Sequence, residues 1–286
     1  MFDYFTVLSH LHQSRRPRTY LEIGVFRGDG LRLASDDTLC VGVDPEPVLA
    51  AEDEDRWHIA EMTSDAFFAG PRPRELFGNR PVDLVFIDGL HLFEYALRDF
   101  FNAEHLAGPE SLIVLHDVLP IDAATASRER TTDDWTGDVW RLVLCLLDRR
   151  PDLDLSIIDV PPSGLCLVRG VNPEDTTLEC GYEAIVEHYL PMGYEEWEAR
   201  VADVRERTTR TRESEYWALR RDLDAVRDRL AESAAECASL RGRLAETEAR
   251  VAALTRQIEA VSASSSWRLT APLRRAGSML RRDDGA

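Results

Sequence analysis

Tyr20-Leu-Glu-Ile-Gly-Val-Phe-Arg-Gly28, followed by Val41-Gly-Val-Asp44, is the stretch from which the fold is read. An apolar strand ends in Glu22, and the chain then turns through Gly24 and Gly28 toward an expected helix. A second short strand ends in Asp44. A glycine turn lets backbone approach a ligand closely, because no Cβ stands in the way. An acidic residue at the tip of the next strand can accept hydrogen bonds from both hydroxyls of a ribose. Together they are suited to hold an adenosine group at the carboxyl end of a parallel sheet.

The glycine spacing narrows the ligand. A dinucleotide site uses G-x-G-x-x-G, with a helix N-terminus facing a pyrophosphate. Here Glu22 takes the place of the first glycine, giving E-x-G-x-x-x-G. A carboxylate repels a pyrophosphate but attracts an ammonium group, which favours a ligand with a cationic amino-acid tail. The stretch resembles the first two motifs of class I S-adenosylmethionine-dependent methyltransferases. That resemblance implies that the loop of Glu22, Gly24 and Gly28 lies against the methionine part and that Asp44 holds the ribose. It also implies an adenine contact after the third strand, in Glu61-Met-Thr-Ser-Asp65. There Met62 would supply an apolar face, and Ser64 or Asp65 a hydrogen bond to the ring amine.

The chain has 286 residues, room for one sizeable core plus an appendage. With 34 basic and 52 acidic residues its formal net charge is -18, which argues against nucleic acid as a partner. Every basic residue is arginine, so no lysine is available as a catalytic base. Cys40, Cys145, Cys166, Cys180 and Cys237 are scattered, without a C-x-x-C pair. They read as reduced, mostly buried thiols rather than a disulfide framework or a zinc site. No apolar run has the length of a signal peptide or a membrane span, so a soluble, cytoplasmic protein is expected.

Strand candidates at 19–23, 39–43, 56–60, 82–87, 111–115, 153–158 and 164–168 alternate with helical patterns at 3–13, 29–35, 91–106 and 138–149. This alternation predicts an α/β fold with a doubly wound, mostly parallel seven-stranded sheet. Val160-Pro-Pro-Ser-Gly164 is too short to hold a crossover helix, so the last two strands should form an antiparallel hairpin at the sheet edge. The methyltransferase resemblance implies the same ending. The expected organisation is a methyltransferase domain over 1–170, a helical linker over 171–211, a coiled coil over 212–261 and a basic Trp/Arg/Leu tail over 262–286.

The coiled coil rests on a heptad seam. Its a series reads Leu223, Leu230, Cys237, Leu244, Val251, Ile258, and its d series Val226, Ser233, Leu240, Thr247, Leu254, Val261. The repeat does not slip, and Tyr216 and Leu219 extend it backwards. Such a stripe needs a partner helix, most simply that of a second chain, so a homodimer is expected. Ser262-Ala-Ser-Ser-Ser266 stops the heptads, and Trp267-Arg-Leu-Thr-Ala-Pro-Leu-Arg-Arg275 follows. Arginines interleaved with Trp and Leu suit an anionic membrane surface or a protein partner. The string resembles one found at the ends of coiled coils in bacterial glycan-assembly proteins, which implies a glycan-enzyme contact and points the acceptor toward sugars.

Two further strand ends carry polar clusters. Val82-Asp-Leu-Val-Phe-Ile-Asp88-Gly89-Leu90-His91 places Asp88 and His91 at the end of the fourth strand. Leu112-Ile-Val-Leu-His116-Asp117 places His116 and Asp117 at the end of the fifth. Adjacent strands would gather these groups at the ligand-binding edge, where an Asp from each and an imidazole form a candidate divalent-metal site. A metal suits methyl transfer to an alcohol, since a Lewis acid lowers the hydroxyl pKa and a nearby base takes its proton. The two strings resemble the metal-dependent O-methyltransferases that modify macrolide sugars. That resemblance implies Asp88, His116 and Asp117 as metal ligands, with Asp88 also beside the donor, and His91 as the base. In that family the residue matching His116 is a carboxylate and the ion is magnesium; an imidazole shifts the preference toward manganese or another softer ion. In the loop 118–137, Trp135 is suited to stack on a sugar or to anchor a lid, and Asp138 reads as a first-turn acid of the following helix.

The function expected is methyl transfer from S-adenosylmethionine to a hydroxyl of a sugar or glycan intermediate. Its rivals are a coiled-coil scaffold with a degenerate methyltransferase domain and a nicotinamide-dependent oxidoreductase, against which the missing G-x-G-x-x-G counts.

Overall fold

The computed structural model describes residues 3–50, 56–209, 213–263, 270 and 272. Seven strands form one sheet: β1 (Thr19–Ile23), β2 (Leu39–Val43), β3 (His58–Ala60), β4 (Val82–Ile87), β5 (Ala107–His116), β6 (Asp154–Ile158) and β7 (Leu165–Arg169). Their order is β3-β2-β1-β4-β5-β7-β6. The first five pair in parallel, and β7 runs antiparallel to both β5 and β6. The short Val160–Gly164 connection imposes that reversal and leaves β6 at the edge, as its length predicts.

Both faces of the sheet are covered, so its central strands are largely apolar on both sides rather than alternating with polar residues. Leu21, Ile23, Val41, Val43, Val85, Ile87, Ile113 and Leu115 point into one core. Tyr20, Cys40, Leu84, Phe86, Leu112 and Val114 point into the other. The second core is closed by α1 (Tyr4–Arg15) through Val7, Leu8 and Leu11. Asp3 starts that helix, its carboxylate accepting from the Thr6 amide in a capping box.

The first core is closed by α2 (Ser64–Ala69), α3 (Arg72–Phe77), α4 (Phe93–Leu106) and α5 (Trp140–Arg149). α4 and α5 are tied by a buried ion pair: Arg150 reaches Glu104 at 2.8 and 2.9 Å, with both side chains 1 % exposed. Residues 171–209 lie in the segment expected as a helical linker over 171–211. They form α6 (Thr177–Cys180), α7 (Tyr182–Tyr189) and α8 (Tyr194–Thr209), whose Leu178, Ile185, Tyr189, Trp197 and Val204 join the same core.

The helix expected over 29–35 is absent; a single 3-10 turn, Leu31–Leu33, stands there. Gly28 and Gly30 open the segment and Asp36-Asp37 close it before β2. That leaves no length for the second turn that would repay helix nucleation. Cys40, Cys145 and Cys166 are buried as expected, whereas Cys180 and Cys237 are exposed.

The chain divides into two compact units, Met1–Tyr216 and Trp217–Ala286. The second consists largely of α9 (Glu213–Ala263). Its Leu240, Leu244, Val251, Leu254, Ile258 and Val261 are exposed. The side chains of Tyr216, Leu219, Leu223, Val226 and Leu230 lie outside the described residues, as does the tail from 264 onward apart from Thr270 and Pro272. Among the described residues no helix is long and apolar enough to cross a membrane.

Candidate functional site

The parallel register brings four strand ends to one level: Ile23 lies opposite Val43 and Ile87, and Ile87 opposite Leu115. Gly24, Asp44, Asp88 and His116 therefore share the carboxyl edge of the sheet, where ligands of open α/β sheets bind. Three non-glycine residues at this edge, Phe26, His91 and Asp117, have φ of 46°, 59° and 59°. Such left-handed conformations cost free energy in non-glycine residues and concentrate at functional sites.

Gly24 has φ +87°, and a Cβ there would stand 1.9 Å from the Asp88 carbonyl oxygen. Its glycine is thus demanded first by the approach of β1 to the end of β4. Gly28 is also packed rather than open: a Cβ would meet Leu49 and Trp57, each at 2.9 Å. Gly30 accommodates Glu22, whose carboxylate fills the space a Cβ would take.

Glu22 is the most telling group of this loop. It is 2 % exposed, it accepts a 2.7 Å hydrogen bond from the Tyr20 hydroxyl, and no described arginine or histidine forms an ion pair with it. Burial, reinforced by Asp88, Asp29 and Asp44, raises its pKa from 4.5 to about 8 against the opposing Tyr20 bond. A buried carboxylate without a counter-charge is costly, and a cation placed beside it relieves that cost.

Asp44 is half-buried at the tip of β2. Its Oδ2 accepts from the Val25 and Phe26 amides at 2.9 and 2.8 Å, and its Oδ1 from the Glu46 amide at 2.8 Å. It therefore fixes the glycine loop, and a ribose would have to share these oxygens. After β3, Met62 packs against the core and Asp65 is held by Arg98 through two 2.7 Å bonds. Ser64 hydrogen-bonds Asp99 of α4, a buried carboxylic acid whose pKa burial raises to about 7. Asp99 Oδ1 has no partner among the described residues.

Asp88, His91, His116 and Asp117 come together as the sequence predicts. His91 Nδ1 lies 2.7 Å from Asp117 Oδ2, and its Nε2 lies 3.4 Å from Asp88 Oδ1. His116 Nδ1 stands 3.0 Å from Asp88 Oδ1 and 3.6 Å from Asp117 Oδ1. Burial disfavours charge on both imidazoles, yet the two aspartates outweigh it: His91 is raised to about 10 and His116 is also raised. Burial likewise pushes Asp88 up, but His116 and His91 hold it well below the ordinary carboxylate range. Both aspartates thus favour the protonated form of the two imidazoles.

Asp88, His116 and Asp117 each offer a ligand atom within 4.8 Å of the others, a geometry that fits a divalent ion. Two carboxylates and one imidazole suit manganese better than magnesium. A small cleft lined by Asp88, His91, His116, Asp117 and Val139 adjoins them.

The surroundings hold residues that sequence reasoning missed. Ser163 donates to Asp117 Oδ1 and lies 3.4 Å from His116 Nε2. The Tyr4 ring packs on His116 with centroids 4.1 Å apart. Neither carries a local signal: one sits in a hairpin turn, the other on the first helix. Trp135 stacks on His91, centroids 5.2 Å apart and planes within 5°. One face of its ring therefore covers the imidazole, and the residue is half-buried. Asp138 is not simply an acid of the α5 first turn. Fully buried, it accepts from the Phe93 amide at the start of α4 and from Arg128 and Arg141. Arg128 also grips Glu94, so the loop after β5 is clamped to the first turn of α4.

Residues 21–118 match the protein family described as methyltransferase domain. No curated protein matches the chain significantly. Among solved structures, the chain is similar to the O-methyltransferase TomG of Streptomyces achromogenes, involved in tomaymycin synthesis and solved with SAM. The two share 21 % identity over 59 % of this chain and 80 % of that one, with a TM-score of 0.45. Rv0187 from MTB, solved with its cofactor bound, shares 22 % identity over 59 % and 80 % of the two chains, with a TM-score of 0.46. The O-methyltransferase of Bacillus cereus, solved with SAH, shares 18 % identity over 58 % and 79 %, with a TM-score of 0.42. The matched family segment runs from β1 to just past β5 and so includes Glu22, Gly24, Asp44, Asp88, His91, His116 and Asp117.

Proposed function

We propose that this protein transfers a methyl group from S-adenosylmethionine to an oxygen acceptor, a hydroxyl of a sugar or glycan intermediate. The observation that carries the reading is Glu22: a buried carboxylate with no counter-charge, beside the glycine loop of a methyltransferase-like segment. The ammonium of the donor's amino-acid tail is the complement that this carboxylate lacks. Gly24 and Asp44 shape the loop that receives the tail and ribose, and Ser64 with Asp99 offers hydrogen-bonding groups near the end of β3.

Asp88, His116 and Asp117 would hold a divalent cation, which when bound supplies a Lewis acid that lowers the pKa of the acceptor hydroxyl. In the methyl step the acceptor oxygen attacks the donor's methyl carbon, the carbon–sulfur bond breaks, and the hydroxyl proton passes to His91. His91 is oriented for this by Asp117 at Nδ1 and by the stacked Trp135. Neutral imidazole is the form that accepts a proton, and a cation held by Asp88 and Asp117 would offset the two carboxylates that raise the His91 pKa. The sugar assignment draws its support from the Trp267–Arg275 string.

A panel of nucleotide-linked and free sugars, incubated with methyl-labelled donor and manganese, tests the reading. Label recovered as a sugar methyl ether supports it. Label found only on amines or carboxylates, or no transfer by protein that binds the donor, contradicts the acceptor class.

A further inference from the structure

We infer that α9 is one strand of a parallel, in-register two-stranded coiled coil whose partner is a second copy of this chain. This inference is independent of the methyl-transfer reading. Over its described stretch the helix leaves Leu240, Leu244, Val251, Leu254, Ile258 and Val261 exposed, each more than half so. They fall on the a and d positions of one unbroken heptad register, so they form a single stripe that a lone helix keeps in water. Four of the six residues follow the two-stranded preference, Val251 and Ile258 being β-branched at a and Leu240 and Leu254 occupying d, against Leu244 at a and Val261 at d.

Charge identifies the partner and its direction. In a parallel, in-register pair, each g residue faces the e residue of the following heptad in the other helix. Glu236 then meets Arg241, Arg243 meets Glu248, and Arg250 meets the neutral Thr255. Opposite charges face each other twice on each side of the seam, and like charges never do over this stretch. In the sequence, Asp at the g position 222 and Arg at the e position 227 continue the pattern upstream. A helix of unrelated sequence has no reason to meet this order, whereas a second copy does so automatically. Cys237, exposed at an a position, adds a geometric marker. A parallel, in-register pair puts the two Cys237 side chains in the same layer.

Sedimentation equilibrium on the full chain should give twice the 32.4 kDa chain mass. Leu244→Asp combined with Leu254→Asp should give a monomer that keeps the near-UV circular dichroism of the sheet domain. Mild oxidation of the Cys180→Ser chain should yield a disulfide-linked dimer that is lost on adding Cys237→Ser. Glu236→Arg should raise the dimer dissociation constant by roughly tenfold, and adding Arg241→Glu should restore it. A monomeric wild type at micromolar concentration, an assembly of more than two chains, or a dimer that does not cross-link through Cys237 overturns the inference.

Discussion

Replacing Glu22 by Gln removes a buried ionisable group while keeping the shape and the hydrogen bond from Tyr20. The folded protein holds the Glu22 proton more tightly than the unfolded chain does, with a pKa of about 8 against 4.5. The stability this gives is fully present below pH 4.5 and is lost as the pH rises through about 8. At pH 7 the unfolded chain has released the proton and most folded molecules still hold it. At 1.36 kcal/mol per unit over the interval from 4.5 to 7, wild type loses about 3 kcal/mol that the Gln variant does not lose. Urea denaturation of both proteins from pH 4 to 9 measures this directly: the two stability curves should diverge upward of pH 4.5, with the variant on top. The same substitution should weaken S-adenosylmethionine binding by about tenfold to a hundredfold, the worth of one hydrogen bond to a charged group. Stability curves that stay parallel, together with unchanged donor affinity, would refute the role given to Glu22.

Three other outcomes follow from particular contacts. Gly24→Ala drives a Cβ into the Asp88 carbonyl at a φ of +87°, so it should destabilise the fold by at least about 3 kcal/mol in thermal or denaturant unfolding. Arg150→Ala strands the buried Glu104 carboxylate and should cost about 3–5 kcal/mol, whereas replacing both residues with apolar ones of similar volume should cost far less. Asp88→Asn removes one of three clustered ligands. Electron paramagnetic resonance should show manganese bound to wild type and none bound to this variant, with the circular dichroism spectrum unchanged.

The sheet was legible because its strands are short apolar runs with distinct breaks, and because Val160–Gly164 leaves room only for a hairpin. The Asp88–His91–His116–Asp117 cluster was legible for a related reason: polar residues directly after apolar strands must emerge at one edge when the register is parallel. What escaped are contacts made at long range. Ser163 reaches Asp117 across 46 residues, and Asp138 caps Phe93 across 45. Nothing local marks either role. Helical periodicity misled at 29–35, where a few apolar residues mimic a face but cannot pay for nucleation. Asp65 illustrates another limit, since an acid after a strand can meet an arginine, here Arg98, as readily as a ligand.

The central claim is that the carboxyl edge beside Glu22 and Asp44 is built for S-adenosylmethionine. Calorimetric titration of the full chain with that donor, alongside NAD, tests it most directly. Saturable binding of one donor per chain, with NAD leaving no signal, is the predicted result. No donor binding by protein whose circular dichroism shows it folded, or equal binding of NAD, would contradict the account.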